Sequence, residues 1–363
     1  MSLWVDKYRP RTLAQLSYHE NITQNLKALS KSGDFPHLLV YGPSGSGKKT
    51  RIYCTLQEIF GPSIEKLKID VKNFVTPSNR KLEFNVLSSP YHLEITPSDM
   101  GNNDRVVIQD LLKDVASTEQ VDFGNQSSKK HRFKVVIINE ADSLSRDAQA
   151  ALRRTMEKYS SNIRLILVCN SVSNIIAPIK SRTLLVRIPS PSIEDISNIL
   201  RQVSKNERVK FSSNDEHAVS AFYEQVAVTS KRNLRRSLLA FETIYMQNET
   251  IDVKQMHSTI VLDWEIIIKN MARTISAARN VATLAKLRTT TYELLSHCIS
   301  ARIILKNLMF ELVSLAKGKT ELIQEIVQIG STFDERLSLG SKSIFHIEGF
   351  IAKTMVAIDT YNV

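Results

Sequence analysis

Cysteine is scarce in this chain. Its three residues, Cys54, Cys169 and Cys298 of 363, are too scattered for metal-ligand spacing and too few for a disulfide framework. Long apolar runs are missing as well: no stretch near either end approaches the length that crosses a bilayer. The opening MSLWVDKYRP is charged within six residues and carries no apolar core of a secretory leader. Internal repeats and low-complexity tracts are also lacking. These absences argue against a disulfide-stapled secreted scaffold, a zinc module and a repeat array, and an intracellular protein with no membrane association is expected.

What is present is an ordinary globular composition, 42% hydrophobic and 23% charged, on a chain long enough for two or three domains. The formal charge of +11 is uneven. Residues 255–363 hold 12 Lys or Arg against 10 Asp or Glu, which leaves 36 against 27 on the first 254. A basic surplus suits a polyanionic partner such as nucleic acid, though many proteins with such a surplus bind none.

The first half reads as alternating strands and helices. HLLVY (37–41), FKVVIINEAD (133–142), RLILVCNS (164–171) and TLLVRI (183–188) are or contain the continuous apolar runs of a buried parallel sheet. KKTRIYCTLQEIF after the first run has helical spacing, with Ile52, Leu56 and Ile59 on one side, and RDAQAALRRTMEKYS is amphipathic. A doubly wound α/β domain over roughly the first 188 residues follows. PSPS at 189–192 stops the strands. Three short helices are expected from IEDISNILRQVSKNE, NDEHAVSAFYEQV and KRNLRRSLLAFETIYMQ, and everything from about 255 onward reads as helical, either an assembly platform or a stabilising domain. The basic run SSKKHRF (127–133) reads as a solvated loop.

One motif carries chemistry. GPSGSGKKT (42–50) follows a strand, opens a helix and matches a phosphate-binding loop, G-x-x-x-x-G-K-[ST], up to its last position. Gly42, Gly45 and Gly47 let backbone N–H groups turn inward, Lys48 reaches the outer phosphates, and Pro43, Ser44 and Ser46 complete the loop. Lys49 stands where a Mg²⁺-holding hydroxyl belongs. Thr50 is one residue late, about 100° around the helix. On the second apolar strand Asn139 stands where an acidic Mg²⁺ ligand is expected, while Glu140, the water-aligning carboxylate, remains. The cradle is complete and both metal-holding positions are altered, so ATP or ADP is expected to bind without a well-held Mg²⁺ and to be hydrolysed poorly or not at all. For Lys49 two directions stay open: towards the place of the metal, or out to solvent.

LWVDKYRPRTLAQL, GPSGSGK, INEADSLSRDAQAALRRTMEKYS, VCNSVSNIIAPIKSR and RNLRRSL follow one another as in AAA+ clamp-loader subunits. Over essentially its full length the chain resembles a small subunit of eukaryotic replication factor C, and its altered metal positions resemble the end-of-arc subunit with a degenerate ATP site. The resemblance implies an AAA+ parallel-sheet domain (1–189), a small helical lid (190–253) and a C-terminal all-α collar for assembly (254–363). It places Tyr8, Arg9 and Pro10 beside the adenine, Asn170 as the γ-phosphate sensor and Arg235 as the lid arginine. It makes Arg182 the arginine finger that enters a neighbouring subunit's ATP site, with Thr183 where the family usually has Cys.

The same resemblance implies four other loader subunits, a PCNA-type sliding clamp and primer–template DNA as partners, and a nuclear role in replication and repair. Arg105 and Arg146, at the starts of DRVVIQDLLKDVAS and RDAQAALRR, are the candidates for phosphate contacts. An active AAA+ motor such as a helicase loader, relying on Thr50 and Glu140, and a DNA-binding scaffold that has lost its nucleotide are the rival readings.

Overall fold

The computed structural model describes residues 2–75, 81–117, 133–160, 162–212, 215–248, 250–252 and 261–361. The chain divides into two compact units, Met1–Ile260 and Val261–Val363. All of SSKKHRF except Phe133 lies outside the described residues.

In the first unit, α1 (Trp4–Lys7) and α2 (Glu20–Ser32) precede β1 (Leu38–Tyr41), and α3 (Lys48–Phe60) follows the glycine loop. Next come β2 (Lys68–Val75), β3 (Lys81–Ser88), β4 (His92–Ile95), α4 (Asp104–Ser117), β5 (Lys134–Ile138), α5 (Arg146–Lys158), β6 (Ile163–Cys169), α6 (Ala177–Lys180) and β7 (Leu184–Arg187). They build a seven-stranded sheet in the order β2-β3-β4-β5-β6-β1-β7. From β4 to β7 every pairing is parallel, and β2 and β3 add an antiparallel hairpin at one edge.

Alternation explains the unbroken apolar runs. Leu39, Val136, Ile138, Leu165 and Leu167 face α4 and α5, joining Val107, Leu111 and Leu152. Their neighbours Leu38, Val40, Val135, Ile137, Ile166 and Val168 face the other way, onto Ile52 and Leu56 of α3. Both faces are buried, so polar residues have no place on these strands. The 183–188 run departs from that expectation. β7 is an edge strand, with Leu184 and Leu185 42% and 46% exposed, because nothing among the described residues pairs with its outer side. The hairpin and β4 were not foreseen from the sequence.

After 189–192 come α7 (Ile193–Glu207), α8 (Glu216–Thr229) and α9 (Leu234–Gln247). Each starts at a side-chain cap: Ser192 in a reciprocal box with Asp195, Asp215 accepting from His217 N–H, and Asn233 accepting from Arg236 N–H. Their shared core, including Leu200, Phe222, Tyr223 and Phe241, also takes in Trp4 from the start of the chain.

The second unit is built of α10 (Asp263–Ala277), α11 (Val281–Ser296), α12 (Ala301–Leu315), α13 (Thr320–Leu339) and α14 (Ser343–Tyr361). Ile275, Leu294, Leu308, Ile326, Phe350 and Ile351 lie in its centre. Arg279–Asp359, Arg288–Glu348 and Arg302–Asp334 tie the helices together at the surface. Phe310, Leu339, Phe345 and Val356 remain exposed on this unit. Among the described residues no helix is long and apolar enough to cross a membrane.

Candidate nucleotide-binding site

The loop between β1 and α3 takes a shape only glycine allows at Gly42, where a Cβ would fall 1.9 Å from the Ile188 carbonyl oxygen, and at two further points. Gly45 (φ +75°) and Gly47 (φ +83°) lie in the left-handed region. A Cβ would fall 1.8 Å from Asn233 Oδ1 at the first and 2.3 Å from the Tyr18 hydroxyl at the second. The Lys48 ammonium is folded back into this loop. It donates to the carbonyls of Gly42 (2.7 Å) and Pro43 (2.8 Å) and to Asn170 Oδ1 (3.0 Å). Burial lowers its pKa and the nearby Arg235 charge adds to the effect, against opposing help from Cys169 and Asp142. A buried cation short of anionic partners is a site prepared for phosphate. The buried Ser46 hydroxyl likewise has no hydrogen-bond partner among the described residues.

Beside the loop lies a cavity of about 420 Å³. Tyr8, Arg9, Pro10, Gly45, Gly47, Thr50 and Arg235 all line it, seven positions singled out from three separated stretches of sequence. Ile199, Val203 and Leu238 of the three-helix group supply an apolar wall. A cationic end and an apolar end in a volume of this size suit a nucleotide. The N-terminal wall is anchored by the Tyr8 hydroxyl on Glu207 Oε1 (2.8 Å) and by the Trp4 N–H on the buried Glu242 Oε2 (3.0 Å). Pro10 lends its carbonyl to the Cys54 thiol.

The metal end is built differently from expectation. Lys49 does not line the cavity and does not simply extend into solvent. Its ammonium lies 2.6 Å from Glu94 Oε1, at the end of β4. Asn139 Nδ2, just past β5, donates to the same oxygen at 2.6 Å and also reaches Thr96 Oγ1 at 3.3 Å. Tyr53, one helical turn after Lys49, donates its hydroxyl to Glu94 Oε2. Glu94 is only 4% exposed. Burial pushes its carboxyl up, but the bonds from Lys49, Tyr53 and Asn139 outweigh this and hold it below the ordinary carboxylate range. Glu140 sits in a left-handed turn (φ +49°) and accepts from Ser98 Oγ at 3.2 Å. Asp142 Oδ2 takes the N–H groups of Asn170 (3.1 Å) and Ser171 (3.3 Å), which sets Asn170 opposite Lys48.

Two further groups of expected residues lie elsewhere. Arg182 follows α6, where its Nη2 pairs with Glu157 Oε1 (2.6 Å) and its Nη1 donates to Pro178 O (2.9 Å). Thr183 donates its hydroxyl back to the Ile179 carbonyl (3.0 Å) and leaves the arginine at the surface. Arg105 and Arg146 are exposed in the first turns of α4 and α5. The buried Asp104 joins those two helix starts, accepting from Ser145 N–H (2.7 Å) and Ser145 Oγ (2.8 Å).

Glu94, Tyr53 and Asn233 had not been singled out. The only sequence signal for Glu94 is an acidic residue inside the apolar run HLEI, and its partners Lys49 and Asn139 each lie 45 residues away.

Three family models match the chain: "DNA polymerase III, delta subunit" over residues 18–192, "RCF1/5-like, AAA+ ATPase lid domain" over 198–246 and "Replication factor C subunit 3, C-terminal domain" over 264–362. The chain is 56% identical to Replication factor C subunit 5 of Saccharomyces cerevisiae, across 99% of this chain and 100% of that one. It is 47% identical to human Replication factor C subunit 3, across 98% and 96%. Among solved structures, a mutant of Thermotoga maritima RuvB superposes with a TM-score of 0.51 at 14% identity, covering 77% of this chain and 85% of that one, a likeness of fold alone.

Proposed function

The chain belongs to the replication factor C family of clamp-loader subunits, and on that premise we propose that it is the subunit whose nucleotide pocket is structural and whose arginine serves a neighbour. ATP or ADP occupies the cavity between the glycine loop and the three-helix lid, fixing one against the other. Lys48 and Arg235 meet the phosphates, and Tyr8, Arg9 and Pro10 meet the base. The chain does not hydrolyse this nucleotide. The single observation that carries the reading is that both residues standing at the metal-holding positions, Lys49 and Asn139, are bonded to Glu94.

Arg182 completes an ATP site in the adjoining subunit. Its position at the surface, paired with exposed Glu157 and with no other acidic residue among the described residues, supports this, because such a pair is weak and easily exchanged for a phosphate. The collar unit joins four other subunits, and its exposed Phe310, Phe345 and Val356 support that role. Arg105 and Arg146, at two helix N-termini joined by Asp104, contact phosphates of primer–template DNA while a PCNA-type clamp is loaded in the nucleus.

The test is Arg182→Ala in the reconstituted complex. An arginine supplied in trans contributes about 10³–10⁵ to turnover in GTPases. Turnover at the adjoining site should therefore be lost while nucleotide binding by this chain is unchanged. Unchanged turnover of the complex would refute the assignment.

A further inference from the structure

We propose that Lys49, Glu94 and Asn139 form an internal cross-link that replaces the divalent ion in this pocket, so that the chain holds its nucleotide equally well with or without Mg²⁺. The inference rests on the nucleotide reading above and adds to it the residue that enforces it, Glu94.

Neither substituted position offers the anionic or hydroxyl oxygen it replaces. An ammonium is a cation with three donors and no acceptor, and Asn139 spends its NH₂ group on Glu94, leaving only its neutral carbonyl Oδ1, buried and without a hydrogen-bond partner among the described residues, where a carboxylate would stand. The two departures converge on one oxygen, Oε1, at 2.6 Å each. A carboxylate oxygen can accept two such bonds, and Tyr53 takes the other oxygen. A divalent ion links the phosphate-loop helix to the acidic strand end through its coordination sphere, and only while nucleotide is bound. Here α3 (Lys49, Tyr53), β4 (Glu94) and the end of β5 (Asn139) are already linked by the protein itself. The charges of Lys49 and Glu94 cancel, so this corner offers no net charge to a phosphate. Attraction is left to Lys48, Arg235 and the loop N–H groups, none of which needs a metal.

Glu94 is thus a positioning residue: it draws Lys49 off the phosphates and fixes the Asn139 amide. The departures at 49 and 139 form a pair through it. Restoring a hydroxyl at 49 alone leaves Glu94 short of its cation. Restoring a carboxylate at 139 as well gives a divalent ion its two first ligands, with Glu94 beside them.

The experiment is a titration of the purified full-length chain with a fluorescent N-methylanthraniloyl derivative of ADP, in Mg²⁺ and in chelator. Wild type should change its affinity by less than about twofold between the two conditions. Lys49→Thr combined with Asn139→Asp should become metal-dependent, binding at least about tenfold more tightly with Mg²⁺ than without. If that variant does not fold, Glu94→Gln on the wild-type background replaces it. Freed from its carboxylate, Lys49 should swing to the phosphates and raise affinity about threefold or more in chelator, and an unchanged affinity would overturn the proposal. Loss of wild-type binding on chelation would overturn the cross-link while leaving the nucleotide site standing. A folded double variant that ignores Mg²⁺ would do the same. Absence of wild-type binding in both conditions would remove the nucleotide reading, and this inference with it.

Discussion

Gly45→Ala is the most informative single perturbation of the pocket, because the glycine touches the cap of the helix that carries Arg235. An added Cβ would lie 1.8 Å from Asn233 Oδ1 and 2.4 Å from its Cγ, so the Asn233 side chain must rotate away. That oxygen is the acceptor for Arg236 N–H at 3.1 Å, and losing such a cap costs about 0.5–2 kcal/mol. Holding alanine at φ +75° adds about 1–2 kcal/mol. The sum is about 1.5–4 kcal/mol, or roughly 3–16 °C in Tm for a unit of this size. Trp4 packs edge-on against Phe241 and tilted against Tyr245 of α9, so its fluorescence follows unfolding of this region once Trp264, the other tryptophan, is replaced by Phe. The decisive variant is the pair Gly45→Ala with Asn233→Gly. Glycine is a tolerable cap, costing only a few tenths of a kcal/mol, and it removes the obstructing atoms. The pair should recover about 1 kcal/mol relative to the sum of its members. Strict additivity would mean that loop and cap do not touch, and the clash argument would fail.

Two other outcomes are expected. The Glu94 carboxyl titrates below its usual range in the folded chain, so its network stabilises above that range and is lost as pH falls through the lowered value. Acid unfolding should steepen below about pH 4 and flatten in Glu94→Gln, as read by circular dichroism against pH; of the other depressed carboxyls of this unit, Glu157 is exposed and screened, and Glu207, bonded to Lys7 and Tyr8, contributes equally to wild type and variant. Among the cysteines, burial pushes the Cys54 thiol to about 11 and the Cys169 thiol to about 12, while Cys298 is exposed. Iodoacetamide under native conditions should label Cys298 alone by peptide mass spectrometry, and fast labelling at Cys169 would contradict the packing of β6.

Much of the pocket was legible because its parts are local. A glycine loop between an apolar strand and a helix can be read as a string, and so can the boundaries of α3 and α7, which match the expected segments residue for residue. Arg235 and Tyr8 were found only through the family resemblance, since nothing in their own neighbourhoods marks a ligand. Glu94 was not found at all. Its role is created by sheet order: β4 pairs with β5 with Glu94 opposite Ile137, which brings it against Asn139, and α3 crosses to reach it. The misjudged burial of 183–188 has a similar origin. A central parallel strand and an edge strand share one apolar pattern, and only the presence of a neighbour distinguishes them.

The anchoring of the N-terminal segment has a mechanical consequence. Trp4 and Tyr8 are fastened to the three-helix group through Glu242, Glu207 and the aromatic contacts of Trp4 on α9, yet the chain then crosses to Pro10 and Tyr18, whose carbonyls meet Cys54 and Arg51 of α3. It crosses back at 189–192, where Arg232 grips the carbonyls of Ser190 and Pro191 and His19 meets that of Pro189. A body joined to another by one flexible tether can turn about three axes; joined by two, it keeps only the axis through both. The three-helix group is therefore held at two places rather than one, which leaves it fewer ways to turn relative to the glycine loop.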